Sequence, residues 1–474
     1  MKPTTSWKRL RNLTIVAIFG IAVTIRIHLL PPIDECPASD QAVHKPDVNV
    51  SYSNLALRIS KFQSDWYQIP QHHYYFYSAF LDNRTALREQ GPAVRIIALL
   101  HTTLNYETAF RCNAWSSEGT SAPAMPLWTV PARISKTGIG SIVNRRIYRE
   151  VIISCRVPAE FTQNVQYLPT FFVSIVYKTE ESAKIPVDTA FAGNGSQSDN
   201  RKFMINCVSI TYGSVHPVRL VEWLEMQLLW NVSAVYIHYI NIAPDTLAVL
   251  EYYANRSFVF LHNMTMPFAN DGHEMKHKLL AMESPAINDC MYRTSPYFRY
   301  IAAYDIDEFI VPKIGSGTYP DMIGQLKQIH NVPVASVMLR FQNEFFFFEY
   351  PRDVNETFFN PQTKLMSLNY TRRARVGPDR LHKSILDSRA CITNQNHRCL
   401  EWTKEQKHKH NIYVSPAYAV KHHYKNCPAF KENCHVWLNY SVSDTTIVKY
   451  AKRIESRVDR VLNELNLLQS TNKT

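Results

Sequence analysis

Two aspartates one residue apart, Asp305 and Asp307 in RYIAAYDIDEFIVP (residues 299–312), are the strongest chemical feature of the sequence. An apolar run leads into Asp305, Ile306, Asp307 and Glu308, and the apolar pattern then resumes, so the stretch reads as a buried strand ending in carboxylates. Acids at i and i+2 on a strand end point at one divalent cation. Mg2+ or Mn2+ held by one or two carboxylates completes its shell with water and substrate phosphates, which suits a nucleotide diphosphate. A solvated turn is the plain alternative.

Other residues carry competing chemistry. Glu344 in QNEFFF, embedded among aromatics, would have a raised pKa and act as a general base on an acceptor hydroxyl, or else sit in a structural ion pair. His273, Glu274 and His277 form HExxH, the zincin pattern of a zinc metalloprotease. Against it, the motif follows Asp271-Gly272 at a helix start and no third ligand follows at the usual spacing. His422, His423, Cys427, Cys434 and His435 make a possible structural zinc site, with a disulfide as the rival use of the cysteines.

The residues 304–312, together with NDCMYR (288–293) and RLVEWLEMQLLWNVSAVYIHYIN (219–241), resemble glycosyltransferase family 92. The resemblance runs from about residue 203 to the C-terminal region, about half of the chain. It implies a GT-A fold whose Asp-x-Asp motif binds metal and sugar nucleotide, and glycosyl transfer with inversion, galactosyl in the characterised members. LHKSILD (381–387) and VKHHYKNC (420–427) resemble the family's C-terminal motifs. His423 matches the family's His-Tyr-Arg and completes the metal site, with His422 as the competing ligand. Lys425 replaces the arginine, which keeps a cation but loses the bidentate fork. On this reading Asp305, Asp307 and His423 hold Mn2+ (or Mg2+) against the diphosphate of a UDP-sugar, UDP-galactose by the family's leaning. Lys383 or Lys425 adds a second counter-charge, and Glu344 and Asp387 are the candidate catalytic bases.

Composition bounds the remaining choices. With 474 residues, 46% hydrophobic and 19% charged, the chain is long enough for two or three domains and is not a disordered protein. Lys2, Lys8, Arg9 and Arg11 precede an apolar run, residues 13–30, that reads as an uncleaved transmembrane anchor rather than a signal peptide. The basic end would stay cytoplasmic, giving a single-pass type II membrane protein facing the Golgi lumen. Sequons recur beyond the anchor, from Asn49 to Asn472, in keeping with that topology. Nine cysteines in an oxidising lumen imply disulfides with one left over. Cys36 is the spare, available for a disulfide-linked dimer. Cys391 with Cys399 and Cys427 with Cys434 are local pairs, and Cys112 and Cys155 fall on two strands they would bridge. The net charge of +12 is spread along the chain rather than massed, so nucleic acid is not an expected partner; a sugar nucleotide, a glycan or glycoprotein acceptor and the membrane are.

These features must be positioned by the rest of the chain. We expect a cytoplasmic tail (1–12), the anchor (13–30), a stem (31–68), a β-rich accessory module (69–182), a linker (183–202) and a glycosyltransferase domain (203–474). Strands at 203–212, 234–239 and 258–262 alternate with helices from His216-Pro217 and at 244–254, which predicts an α/β domain with a mostly parallel sheet. Helices are expected at 273–291, 318–330 and 445–468, and a long aromatic strand at 334–348. No Gly-x-Gly-x-x-Gly opens the pattern, which argues against a dinucleotide oxidoreductase. A non-catalytic glycan-binding protein is the alternative from another class.

Overall fold

A computed structural model describes residues 66–84, 91–101, 110–116, 125–137, 148–162, 171–190, 201–268, 275–332, 337–351, 365–375, 382–403, 411–427 and 434–467. The N-terminal part is built of strands alone: β1 (Tyr67–Ile69), β2 (Tyr74–Asp82), β3 (Ala93–His101), β4 (Phe110–Ser116), β5 (Trp128–Lys136), β6 (Tyr148–Arg156), β7 (Phe171–Tyr177), β8 (Glu180–Glu181) and β9 (Ile185–Asp188). In the path β2-β3-β6-β5-β4-β7 every neighbour is antiparallel, and β9 pairs with both β7 and β2, closing seven strands into a barrel. Closure leaves those strands without free edges.

Strand β2 shows how the sequence serves two cores. Tyr74 and Phe76 point into the barrel while Tyr75 and Tyr77 point out; a bulge between Phe76 and Ser78 then shifts the alternation, so that Ala79 and Leu81 face in and Phe80 faces out. Trp128 lies in the barrel core with Phe161 and Phe171, whereas Trp115 is half-buried under the Lys184 ammonium.

Beyond residue 200 the strands are β10 (Lys202–Gly213), β11 (Ala234–Ile242), β12 (Val259–Asn263), β13 (Phe298–Ala302), β14 (Glu308–Pro312), β15 (Met338–Phe341), β16 (Asn343–Phe347), β17 (Arg372–Ala374), β18 (Lys383–Asp387), β19 (Cys391–Gln395), β20 (Arg398–Trp402), β21 (Asn411–Val414), β22 (Ala419–Lys425) and β23 (Ser441–Ser443). The helices are α1 (Pro217–Leu229), α2 (Pro244–Ala254), α3 (Met275–Thr294), α4 (Tyr319–Ile329), α5 (Met366–Asn369), α6 (Cys434–Asn439) and α7 (Ala451–Glu464). Pro217, Pro244 and Pro320 sit in the first turns of α1, α2 and α4, where a missing N–H costs nothing. A seven-stranded sheet runs β12-β11-β10-β13-β18-β15-β21, and a separate three-stranded sheet runs β14-β22-β16.

Alternation along β11 divides the packing. Val235 and Ile237 enter a core shared with α1, α4 and α7, while Ala234 and Tyr236 enter a second core shared with α3 and the outward face of the barrel. Polar ties reinforce that second contact: Tyr77 Oη lies 2.6 Å from His262 Nε2, and Arg84, paired with Asp82, donates to the Cys391 carbonyl at 2.6 Å. Disulfides join Cys112 to Cys155, Cys207 to Cys290, Cys391 to Cys399 and Cys427 to Cys434. The pairs expected from local spacing form, and Cys207–Cys290 ties β10 to α3. Cys36 lies outside the described residues.

Three expectations are corrected. The fold is not an α/β GT-A domain on a mostly parallel sheet behind a small module: the N-terminal part is a closed barrel, strands dominate, and the C-terminal part is split between sheets of mixed direction. Parallel pairing stops at β13, because β18 enters antiparallel between β13 and β15 and β14 leaves for the other sheet. The long aromatic strand is likewise two strands, β15 and β16, one in each sheet. The single-pass type II, Golgi-facing placement is also corrected, to the statement that no helix among the described residues is long and apolar enough to cross a membrane; the apolar run 13–30 lies outside them.

Buried histidines govern the response to acid. Burial lowers His238, brings His262 to about 3, and brings His397 and His422 to about 4, all from an ordinary 6.5. Below pH 6.5 the unfolded chain therefore binds more protons than the folded one, and stability falls with pH. Glu222, pushed up to about 7 by burial, and Glu344, which burial also raises, act in the opposite sense but are two groups against four. The melting temperature should drop steadily from pH 6.5 to pH 4, each histidine contributing about 1.4 kcal/mol per pH unit below its unfolded pKa. Thermal unfolding followed by circular dichroism checks this, and a flat profile contradicts it.

Candidate functional site

The site forms where the chain passes from one sheet to the other. Strand β13 ends at Ala302, and Tyr304 is held in the core by its hydroxyl, 2.5 Å from Gln227 Oε1 and 3.1 Å from the Tyr319 hydroxyl. The Tyr304 N–H donates to Asn206 Oδ1 on β10. The turn is then locked reciprocally: the Glu308 N–H donates to the Asp305 carbonyl at 3.0 Å, and the Asp305 N–H donates to Glu308 Oε2 at 3.1 Å. With both backbone groups satisfied, Asp305 and Asp307 project from the turn while Glu308 enters the second sheet opposite His423.

Glu308 is the centre of the cluster. Its carboxylate lies 2.5 Å from Lys421 Nζ, 3.3 Å from Lys383 Nζ and 3.2 Å from His423 Nδ1. Burial would raise its pKa, but the two ammonium groups and His423 hold it well below the usual carboxylate range. Burial depresses Lys421, whereas for Lys383 the charges of Asp305 and Glu308 outweigh burial and raise it. Asp305 is fixed on both oxygens, Oδ1 accepting from the Ser209 hydroxyl at 3.0 Å and Oδ2 lying 3.1 Å from Lys383 Nζ. Asp307 stays open, its side chain 42% exposed, with Oδ2 3.3 Å from His423 Nε2.

The sequence-predicted residues separate into two groups. Asp305, Asp307, Lys383 and His423 come together. Lys425 follows His423 on the same face of β22, its ammonium 5.9 Å from the Phe345 ring centre. Glu344 and Asp387 lie elsewhere. Glu344 pairs in register with His422, on the opposite face of the three-stranded sheet from His423, and its carboxylate binds Arg373 at 3.0 Å and Gln342 at 3.1 Å. Arg373 also binds Asp444 at 3.0 Å, so Glu344 sits in an ion-pair network, and burial still raises its pKa. Asp387 ends β18 opposite Tyr300, four residues and so roughly 13 Å along the strand from Lys383.

Three residues of the cluster were not singled out from sequence. Lys421 was detectable as the first of Lys421, His423 and Lys425, whose spacing of two puts them on one face of a strand. Glu283 on α3 and Asn396 in the β19–β20 turn had no local signal: Asn396 accepts from Lys383 Nζ and donates to Glu283 Oε2 at 3.4 Å. Of the two zinc alternatives, His273 and Glu274 of the HExxH pattern lie outside the described residues, whereas Cys427 and Cys434 are joined to each other, which leaves neither as a thiolate for a zinc.

The fit of a divalent cation can be judged from the donors. Among the described residues no group of three or more His, Cys, Asp or Glu side chains is arranged to hold a metal ion. What the site offers is narrower: Asp307 Oδ2 and His423 Nε2 are separated by 3.3 Å, close to the about 3 Å between adjacent donors of an octahedral ion with bonds near 2.1 Å. Asp305, Asp307 and Glu308 set three carboxylates against the two ammonium groups of Lys383 and Lys421. Such a cluster repels a diphosphate unless a cation is added. The residues present therefore fit an ion that keeps most of its shell for water and substrate.

Comparison with known proteins bears on the same region. Residues 202–459 match the description Glycosyltransferase family 92. Over 141 residues the chain is 29% identical to the beta-1,4-galactosyltransferase galt-1 of Caenorhabditis elegans, covering 29% of this chain and 32% of that protein, so the match spans about a third of that relative's length. Among solved structures, a ferredoxin-NADP+ reductase from Plasmodium falciparum with 2'P-AMP aligns at a TM-score of 0.11 with 11% identity, covering 43% of this chain and 78% of that one. A mutant of that reductase gives the same TM-score at 10% identity, covering 44% and 76%. Scores this low mark no shared fold.

The Glu308 cluster makes a direct prediction. Glu308→Ala strands Lys383 and Lys421 in the interior without their shared counter-charge and should cost about 3–5 kcal/mol. Urea denaturation measures this, and a loss below about 1 kcal/mol would show that the lysines find other partners.

Proposed function

The chain belongs to glycosyltransferase family 92, and from that premise we propose that this glycosyltransferase moves a hexose, galactose from UDP-galactose, onto a glycan acceptor with inversion at a site built on Asp305, Asp307 and His423. One observation carries the reading: within the matched region a solvent-open Asp307 oxygen stands 3.3 Å from His423 Nε2, beside a cluster whose resting charge is unfavourable to a bare diphosphate. The galactosyl donor is taken from the family's leaning and from the name of the worm relative.

Asp307 and His423, with Asp305 behind them, are proposed to hold Mn2+ or Mg2+. A bound ion of that kind supplies Lewis-acid neutralisation of the charge that develops on the departing diphosphate. The chain's own residues do the rest. Lys383 is buried and kept charged by Asp305 and Glu308, so it serves as a fixed positive pole rather than a proton donor. Lys425, whose ammonium lies over the Phe345 ring, is proposed to meet the outer phosphate as a point charge. The acceptor hydroxyl attacks the anomeric carbon as the carbon–oxygen bond to the diphosphate breaks, and its proton passes to a carboxylate. Glu344 and Asp387 were the sequence candidates for that base. Glu283, the carboxylate linked through Asn396 to Lys383, is the base proposed here in their place.

A panel of sugar nucleotides assayed for transfer and hydrolysis, with Mn2+ and with chelator, tests this. One donor should be selected, turnover should vanish with chelator, and Asp307→Ala should lower it at least about 100-fold without loss of fold. Turnover that survives both changes would remove the metal site, and no turnover of any donor would favour a glycan-binding protein. For the base, Glu283→Gln should cost about 100-fold or more in kcat and Glu344→Gln far less. The reverse ranking reassigns the proton to Glu344.

A further inference from the structure

A short helix, α6, starts nine residues beyond the end of β22, and the Cys427–Cys434 disulfide ties its first residue to a position two residues past that strand. It carries Trp437 onto a stack of aromatic rings. Phe345 and Phe347 lie 5.3 Å apart at an interplanar angle of 14°, and the Trp437 ring lies 6.1 Å from Phe345 and 6.2 Å from Phe347, at 29° and 19°. The two phenylalanines are buried, whereas Trp437 is half-buried, so the indole is the member of the stack that reaches the surface. Its position is fixed twice more, because its carbonyl accepts from the Tyr350 hydroxyl at 2.6 Å and from the Tyr440 N–H at 3.3 Å. Tyr440 itself is 61% exposed, and its carbonyl accepts from the Arg375 N–H.

The stack leads to the site. The Phe345 ring is 5.4 Å from the His423 ring, and the Lys425 ammonium lies over Phe345. From His423 to Trp437 is thus two ring-to-ring steps along one face of the three-stranded sheet. A transferase needs a surface for the sugar that receives the new bond, placed beside the donor site. Pyranose rings present an apolar C–H face that packs on aromatic rings, and a ring held rigidly in advance loses little entropy on doing so. An indole half out of the core, braced by two phenylalanines and a disulfide, meets those requirements.

Resting on the transferase reading above, we propose that Trp437, with Tyr440 beside it, is the platform that holds the glycan acceptor. The platform sets which acceptors are used and how tightly they bind, and takes no part in donor binding.

Steady-state kinetics on a glycan panel ending in galactose, N-acetylglucosamine or mannose, using the donor found for the wild type, tests the assignment. Trp437→Ala should raise the acceptor KM about tenfold while Mn2+-dependent donor hydrolysis and donor KM stay unchanged, and Trp437→Phe should recover most of the loss. Tyr440→Ala, at an exposed position, should raise the acceptor KM about threefold. If Trp437→Ala does not fold, Tyr440→Ala decides the matter: an unchanged acceptor KM in it overturns the platform. So does an unchanged acceptor KM in a folded Trp437→Ala. A wild type that hydrolyses no donor in Mn2+ sinks the transferase site itself, a different outcome from an active enzyme whose acceptor KM ignores these residues.

Discussion

A carboxylate without access to water is tolerated only where cations meet it, and Glu308 is met by two. Lys421 and Lys383 approach its two oxygens, one from β22 and one from β18, so a single buried charge joins the three-stranded sheet to the seven-stranded one. Separating those strands would leave either a buried anion or two buried ammonium groups. The sheets are therefore held at one of the places where the chain crosses between them, and Asp305 and Asp307 project from that crossing. Their position follows from the need to satisfy Glu308.

The surrounding structure supports this point from several sides. Trp223 on α1 donates to the Glu308 carbonyl at 2.9 Å, and the Tyr424 N–H donates to the Asp307 carbonyl at 2.9 Å, so the backbone on both sides of the acids is pinned. Behind the seven-stranded sheet, α3 and the barrel share a core, and the Cys207–Cys290 bridge fixes α3 to β10, the strand that supplies Asn206 and Ser209 to the turn. The barrel thus acts on the site through the rigidity of β10 and α3.

Local signals in the sequence were read well, and partnerships between distant segments were not. Helix 244–254 has the expected bounds because Pro244 and the polar run after Ala254 mark both ends. The Asp-x-Asp pair was legible because apolar residues flank it, but it was read as the end of a buried strand rather than as the turn it occupies. Those same flanks made one strand of what are two: β13 pairs with β10 and β18 whereas β14 pairs with β22, and no spacing within residues 299–312 records which neighbour each half will have. The same failure merged β15 and β16. The barrel was read as a β-rich module without its closing strand, because β9 contains Pro186 and Asp188 and lies in a stretch read as linker. In the site, Asp305, Asp307, Lys383 and His423 were named in advance, while Glu344 stood out for its aromatic neighbours. The alternation of β16 turned it to the far face, and a one-residue difference in position decided that.

The central claim is that the cluster around Glu308 carries too much negative charge to accept a diphosphate alone and that Asp307 and His423 complete it with a divalent cation. Calorimetric titration of uridine diphosphate into the purified protein, with and without Mn2+, tests that claim most directly. The account predicts binding that appears only with Mn2+ and is lost in a folded His423→Ala variant. Equal binding of uridine diphosphate in the absence of any divalent ion would contradict it.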